Sequence, residues 1–309
     1  MTARTEDFER HRSLLFSIAY RMLGSVTDAE DLVQEAYLRW RGAPEAEVRS
    51  PKSYLSAVVT RLSIDRLRSA RARREEYVGP WLPEPLVSDR AEELAVRDEL
   101  DETLSMAFLV LLESLNPVER AVFLLREVFD YDYEEISSIV GKSEANCRQI
   151  ARRARQAVAA RRPRFERSPE KWERMTERFV EACTTGDMKG LLELLSEDVT
   201  LWSDGGGKVA AAPYPIYGAE KVAKFLIGVL RTVPPGFFAH PARINGGPGA
   251  VGYVDGHPTG VVALDVVEGR IRGVRIVVNP DKLRAVPPAS PNRQGSSGKQ
   301  EVESWHEAE

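Results

Sequence analysis

The sequence predicts a multidomain chain: two all-α units, the second built around a helix-turn-helix, followed by an α+β unit. Three observations predict it. Apolar residues recur at helical spacing from residue 8 to about 75, and again between the linker and residue 158. The stretch GPWLPEP (79–85), which no helix interior tolerates, separates the two helical runs. After Ser168-Pro169 the character changes to helices followed by short β-rich segments bounded by Gly and Pro.

The first helix is expected near 8–23, where Leu14, Leu15, Ile18, Ala19 and Met22 share a face and Gly24 ends the run. Thr27-Asp28-Ala29-Glu30 reads as a capping box that opens a helix ending near Trp40. Ser50-Pro51 places a capping residue before a first-turn proline. The helix that follows carries Tyr54, Leu55, Val58, Leu62, Ile64 and Leu67, then runs into RSARARR. A linker continues to about Arg90, and helices resume near Ala91 and reach about Leu115. Asn116-Pro117-Val118-Glu119 supplies an N-cap, a proline at N1 and a glutamate at N3 for the next helix.

The helix-turn-helix comes next. Asp132 caps its first helix, with Glu135 completing a capping box; Gly141 supplies the left-handed turn and Ser143 caps the second helix. Ile136 and Val140 lie on one face of the first helix, and Cys147, Ile150 and Ala154 on one face of the second. Ser143, Asn146, Arg148, Gln149, Arg152 and Arg153 are left facing outward, where a recognition helix presents side chains to a major groove. The alternative is a solvated basic helix on an α-hairpin.

In the α+β unit, helices are expected at 170–184, 188–195 and 218–232. Strands are expected at 199–202, 237–245, 250–254, 260–267 and 270–278, forming a curved antiparallel sheet. From Arg284 onward Pro, Ser, Gly and charge dominate, the composition of a disordered tail.

The net charge of −4 argues against a nonspecific nucleic-acid coat, but it hides local asymmetry. Six arginines stand against Asp65 between Arg61 and Arg74, and nine basic residues against two acids between Lys142 and Arg167. Eight acids crowd Glu84 to Glu102. Two basic blocks around an acidic connector suit two separate DNA contacts. No run of about 18 apolar residues exists and the N-terminus lacks a signal-peptide core, so a cytoplasmic chain without a membrane partner is expected. Cys147 and Cys183 read as reduced thiols, and the four histidines have no metal-ligand spacing, so neither metal nor cofactor is expected.

Residues 8–162 resemble a bacterial sigma factor of the extracytoplasmic-function type. DAEDLVQEAYLRW (28–40) is similar to the helix that grips RNA polymerase, SPKSYLSAVVTRLSIDRLRSARARR (50–74) to the segment that melts and reads the −10 element, and 115–158 to the domain that reads the −35 element. The resemblance implies core RNA polymerase, through its β′ clamp helices and β flap, and promoter DNA as partners. It assigns polymerase binding to Asp31, Gln34, Glu35 and Arg39, with Leu32, Val33, Ala36 and Leu38 packing inward. It assigns −10 recognition to Arg61, Asp65, Arg66 and Arg68, aided by Arg71, Arg73 and Arg74, with the loop 41–49 positioned to capture a flipped base. Tyr37 is expected in the core, and Trp40 is open between core and stacking platform. A DNA-binding regulator that acts without polymerase would need neither the acidic helix nor the −10-like segment.

The chain from 168 resembles a SnoaL-like domain of the nuclear-transport-factor-2 superfamily, a cone-shaped α+β fold. The implied organisation is 8–78 and 101–162 for the sigma domains, 79–100 for the linker, 168–283 for the SnoaL-like domain and 284–309 for the tail. WLPEP (81–85), DGGGK (204–208) and NPDKL (279–283) match the sigma subgroup in which this extension is a built-in regulator, so no separate anti-sigma factor is expected. Trp81, Pro83, Asp204, Lys208, Asn279 and Asp281 are the expected interdomain contacts. A second possibility is a domain that binds or turns over a small molecule, with Asp204, Asp255, His240, His257, Tyr214 and Tyr253 as its available polar groups.

Overall fold

The computed structural model describes residues 3–44, 50–75, 77–87, 103–159 and 169–289. The loop 45–49, the helices expected from Ala91, the basic run 160–168 and the tail from 290 lie outside the described residues, as do the side chains of Arg71, Arg73 and Arg74.

Three helices form the first unit: α1 (Ala3–Leu23), α2 (Val26–Gly42) and α3 (Pro51–Glu75). Gly24 turns the chain between α1 and α2 with φ 65°. The predicted capping box at Thr27 is not the cap that forms. Helix α2 starts two residues earlier, and its N-cap Ser25 accepts from Asp28 N at 3.1 Å. Glu84 of the linker supplies the rest, its Oε2 accepting from Val26 N at 2.8 Å and Thr27 N at 3.0 Å. A carboxylate from far along the chain thus satisfies the unpaired amides at the positive end of the helix. Trp40 resolves as core: it is buried, and its indole N–H donates to Arg4 O at 2.7 Å. Tyr37 packs on Phe8.

The second unit holds α4 (Met106–Leu112), α5 (Pro117–Glu127), α6 (Tyr133–Val140) and α7 (Glu144–Ala159). Its local signals form as expected. Asn116 and Asp132 each make a complete capping box, and Gly141 closes α6 with φ 66°. The two helical units are not separate bodies. Leu15, Ile18, Met22, Leu55 and Val59 share one continuous core with Leu104, Phe108, Leu112, Leu124 and Val158. Arg120, almost fully buried, donates across the seam to Met22 O at 2.6 Å and pairs with Glu113 at 2.8 Å.

The third unit comprises α8 (Pro169–Thr185), α9 (Met188–Leu194), β1 (Leu195–Asp204), β2 (Ile216–Tyr217), α10 (Ala219–Leu230), β3 (Phe238–Ile244), β4 (Gly247–Val254), β5 (His257–Val267) and β6 (Arg270–Val277). The sheet order is β2-β1-β6-β5-β4-β3. The sheet is mixed, not wholly antiparallel: β1 runs parallel to β6. These two strands are distant in sequence, so no hairpin forces them to oppose. The three hairpins that follow α10 turn on Asn245-Gly246, Asp255-Gly256 and Glu268-Gly269, each pair with positive φ, the geometry that matches the strand twist.

Both faces of the sheet are covered. One packs on α8–α10 through Leu201, Leu264, Val266 and Val274. The other packs on the linker and α4, joining Val251, Tyr253, Val261, Ala263 and Val277 to Leu82, Val87 and Met106. The expected tail does not begin at Arg284. Val286 is buried, Ala289 N donates to Gly256 O at 2.9 Å, and the chain is packed to that point.

Candidate nucleic-acid interface and the interdomain latch

The linker residues 77–87 lie extended against the third unit and are bound to it at two places. At the first, Asp204 ends β1 fully buried. Its Oδ1 accepts from Tyr77 OH at 2.6 Å, and its Oδ2 accepts from Leu82 N at 2.8 Å and Lys282 Nζ at 2.7 Å. Lys282 also donates to Leu82 O at 2.5 Å and stands over the rings of Tyr77 and Trp81. Asn279 donates to Tyr77 OH at 2.9 Å and accepts from Asp281 N at 3.1 Å. Burial and the bond to Asp204 push the Tyr77 phenol well above its ordinary range. On the surface above, Lys208 pairs with Asp281 and, chiefly through that bond, holds its carboxyl below the usual range. The glycines of DGGGK are required by this geometry: a Cβ on Gly206 would meet the Asn279 amide at 2.2 Å. Trp81 and Pro83 reach the first unit, where Gly24 leaves room for the Trp81 ring. The structure therefore brings together Trp81, Pro83, Asp204, Lys208, Asn279 and Asp281, with Tyr77, Glu84 and Lys282 added.

The second place was not read from the sequence. Asn245, fully buried at the tip of the β3–β4 hairpin, touches three segments. Its Oδ1 accepts from Leu86 N at 3.0 Å, and its Nδ2 donates to Tyr20 OH at 2.7 Å and Leu104 O at 3.0 Å. Its backbone N donates to Leu86 O at 2.8 Å, beside a bridge between Val87 and Ile244. Tyr20 OH in turn donates to Glu84 O at 2.7 Å. One side chain thus ties the sheet to α1, the linker and the start of the second unit. The signal available in the sequence was Asn-Gly between two β-rich runs, which fixes a hairpin tip but not what it touches.

On α7, Asn146, Arg148, Gln149, Arg152 and Arg153 are exposed, and Ser143 caps the helix through Asn146 N at 3.3 Å. Arg148 pairs with Glu144 at 2.7 Å and stands over the Tyr133 ring. The basic side chains of α3 are more engaged. Arg61 donates to Ile139 O at 2.9 Å and Ser138 O at 2.7 Å, the carbonyls at the end of α6. Ser53 donates to Glu135 at 3.1 Å, and Ser56 accepts from Tyr131 OH at 2.6 Å, so the same face of α3 docks on the helix-turn-helix. Arg66 binds Asp28 at 2.5 Å and lies 3.7 Å from Asp31, and Arg68 pairs with Asp65 at 3.3 Å on the surface.

On α2, Gln34, Glu35 and Arg39 face outward, with Arg39 on Glu35 at 2.9 Å. Leu38 is corrected: it is 55% exposed and belongs with that outer face, not with the core.

The third unit holds a cavity of about 340 Å³ between α8, α10 and the sheet. Asp204, His240, Tyr253, Asp255, His257 and Tyr214 are all absent from its lining. Asp204 lies in the latch, Tyr253 on the opposite face of the sheet, and Tyr214 is 78% exposed.

Residues 8–73 match the Sigma-70 region 2 family and residues 105–158 the Sigma-70, region 4 family. The chain is 37% identical over 294 residues to the ECF RNA polymerase sigma factor SigJ of Mycobacterium tuberculosis, covering 91% of this chain and 93% of that one. It is 32% identical to the probable ECF RNA polymerase sigma factor SigI of the same species, over 89% of this chain and 94% of that one. The crystal structure of M. tuberculosis SigJ superposes with a TM-score of 0.72, covering 90% of this chain and 98% of that chain at 33% identity. The likeness therefore spans the two helical units and the sheet domain together.

Proposed function

The chain belongs to the extracytoplasmic-function RNA polymerase sigma factors, and on that premise we propose how its third domain governs the other two. The protein is an alternative sigma factor: it joins core RNA polymerase, directs it to particular promoters and initiates transcription there. In our reading, the outer face of α2 docks on the β′ clamp helices through Asp31, Gln34, Glu35, Leu38 and Arg39. The second helical domain meets the β flap, and α7 enters the major groove of the −35 element. Arg61, Asp65, Arg66 and Arg68 on α3 serve the −10 element.

The described conformation is a closed state. The two promoter elements are named for positions about 25 base pairs apart, about 85 Å at 3.4 Å per base pair. Two helical domains that share one core do not span that length. Arg61, assigned to −10 DNA, is meanwhile occupied by the end of α6. Transcription then requires the domains to separate, and the third domain sets how readily they do. It stands in place of a separate anti-sigma factor and acts by contact rather than turnover, in keeping with the apolar lining of its cavity.

The observation that carries this reading is the Asp204 latch. A buried carboxylate that binds Tyr77, Leu82 and Lys282 at once is costly to leave half-paired, so it holds the linker in one place. The test is promoter-dependent transcription with core polymerase by Trp81→Ala and Asp204→Ala chains. Activity rises in both with helical content unchanged. Activity equal to the parent's in both, with scattering showing that the parent's third domain already swings freely, refutes the reading.

A further inference from the structure

We infer that the cavity on the helix side of the sheet is a binding site for a small, neutral, apolar molecule, and that its occupancy acts on the helical domains through the other face of the same strands. The second half rests on the closed-state reading above.

Size and shape come first. At about 340 Å³ the cavity falls within the roughly 300–1,000 Å³ typical of small-molecule sites. A whole helical turn, about 10 Å across and 5.4 Å long, fills roughly 420 Å³ and is too bulky for it. The walls then set the chemistry. Phe179 and Val180 of α8, Leu226 of α10, Phe237 of the following loop, and Val262 and Ile276 of the sheet line it. The polar groups at its edge are already committed. The Thr184 hydroxyl donates to the carbonyls of Val180 and Glu181, and the Thr259 hydroxyl to Gly252 O at 3.2 Å. Burial pushes the Cys183 thiol up to about 12, so it stays uncharged. A charged or strongly polar ligand finds no partner in such a site and loses its hydration on entry. A hydrocarbon ring or short chain loses nothing and gains contact area.

The strand alternation carries the coupling. Ala250, Gly252, Gly260, Val262, Ile276 and Val278 face the cavity. Their immediate neighbours Val251, Tyr253, Val261, Ala263 and Val277 face the other way, against Leu82, Val87 and Met106. The wall is one strand thick, and a Cβ on Gly252 would meet the Phe237 ring at 2.8 Å, so Phe237 lies directly on it. A ligand that displaces this wall moves the surface on which the linker and α4 rest.

The experiment is fluorescence titration of the full chain with N-phenyl-1-naphthylamine, a neutral aromatic probe. Saturable one-to-one binding is expected, weakened at least tenfold by Val229→Trp, which fills the rim from a residue 44% exposed and so spares the core. Val229→Ala retains binding. Linkage is reciprocal, so an Asp204→Asn chain shown by scattering to be open binds the probe with altered affinity. Absence of saturation, or equal affinity in Val229→Trp, overturns the site. Equal affinity in the parent and an open Asp204→Asn chain overturns the coupling. An Asp204→Asn chain that stays closed counts against the latch, and the Val229 variants still decide the site.

Discussion

Replacing Asn245 by glycine should open the chain. The side chain makes three hydrogen bonds, to Leu86 N, Tyr20 OH and Leu104 O, and is fully buried. Tyr20 keeps its bond to Glu84 O, so the variant strands two buried groups, the Leu86 N–H and the Leu104 carbonyl. Each stranded group costs about 1–3 kcal/mol, which gives about 2–6 kcal/mol for the pair. At about 1.4 kcal/mol per tenfold, the equilibrium moves roughly thirtyfold to twenty-thousandfold toward the open chain. Glycine is the informative replacement because Asn245 has φ 53°. Alanine adds about 1–2 kcal/mol of left-handed strain, but the hairpin carries that strain open or closed. Alanine should therefore open the chain as far as glycine does while also lowering the melting temperature of the sheet domain. The assay is energy transfer between dyes on cysteines introduced at exposed Glu9 and Lys221, the native Cys147 and Cys183 being buried. A transfer distribution in Asn245→Gly identical to the parent's would show that Asn245 does not hold the chain closed.

Three other outcomes follow from the same contacts. Arg148→Ala or Arg152→Ala should cost about 1–3 kcal/mol at the cognate −35 sequence if the side chain reads a base, whereas a phosphate contact weakens binding at every sequence and flattens the salt slope; promoter binding indifferent to both variants contradicts the placement of α7. Charge reversal of Asp31 and Glu35, or Leu38→Asp, should weaken assembly with core polymerase at unchanged helicity, read by titration against labelled core enzyme. The Tyr77 phenol is raised above the ordinary value of about 10, so its contribution is complete below that pH and is lost as pH climbs through the folded value. Energy transfer in the parent should thus stay flat between about pH 7 and 9.5 and fall above 10, and Tyr77→Phe should lack the step; a step near neutrality would show that another group holds the latch.

The parts of the molecule legible in the sequence are those whose partners lie within one helical turn. Asn116 with Glu119, Asp132 with Glu135, and Gly141 all announce themselves in a few residues, and all form. The cap of α2 falls on Ser25 and not on Thr27 because Glu84 arrives from the linker to take the Val26 and Thr27 amides. Leu38 points inward on apolarity alone, yet it stands exposed beside Gln34 and Arg39 on the outer side of α2. Arg61 reads as one more phosphate ligand, since nothing near it in sequence reveals the carbonyls of Ser138 and Ile139. DGGGK, NPDKL and WLPEP pointed to one another only through the family resemblance. Their chemistry as a buried ion pair, with Lys282 between two aromatic rings, needed the fold. The parallel β1–β6 pairing was missed for the same reason, because short segments carry no record of their neighbours' direction.

In this reading the free chain is closed, and promoter engagement separates its two helical domains. The most direct measurement is the distance between dyes on Ser13 in α1 and Gln156 in α7, first in the free chain and then in complex with core polymerase on promoter DNA. The distance should be short in the free chain, set by the shared core, and increase toward the roughly 85 Å between the promoter elements once DNA is bound. The same distance in both states, or a free chain already extended, would contradict it.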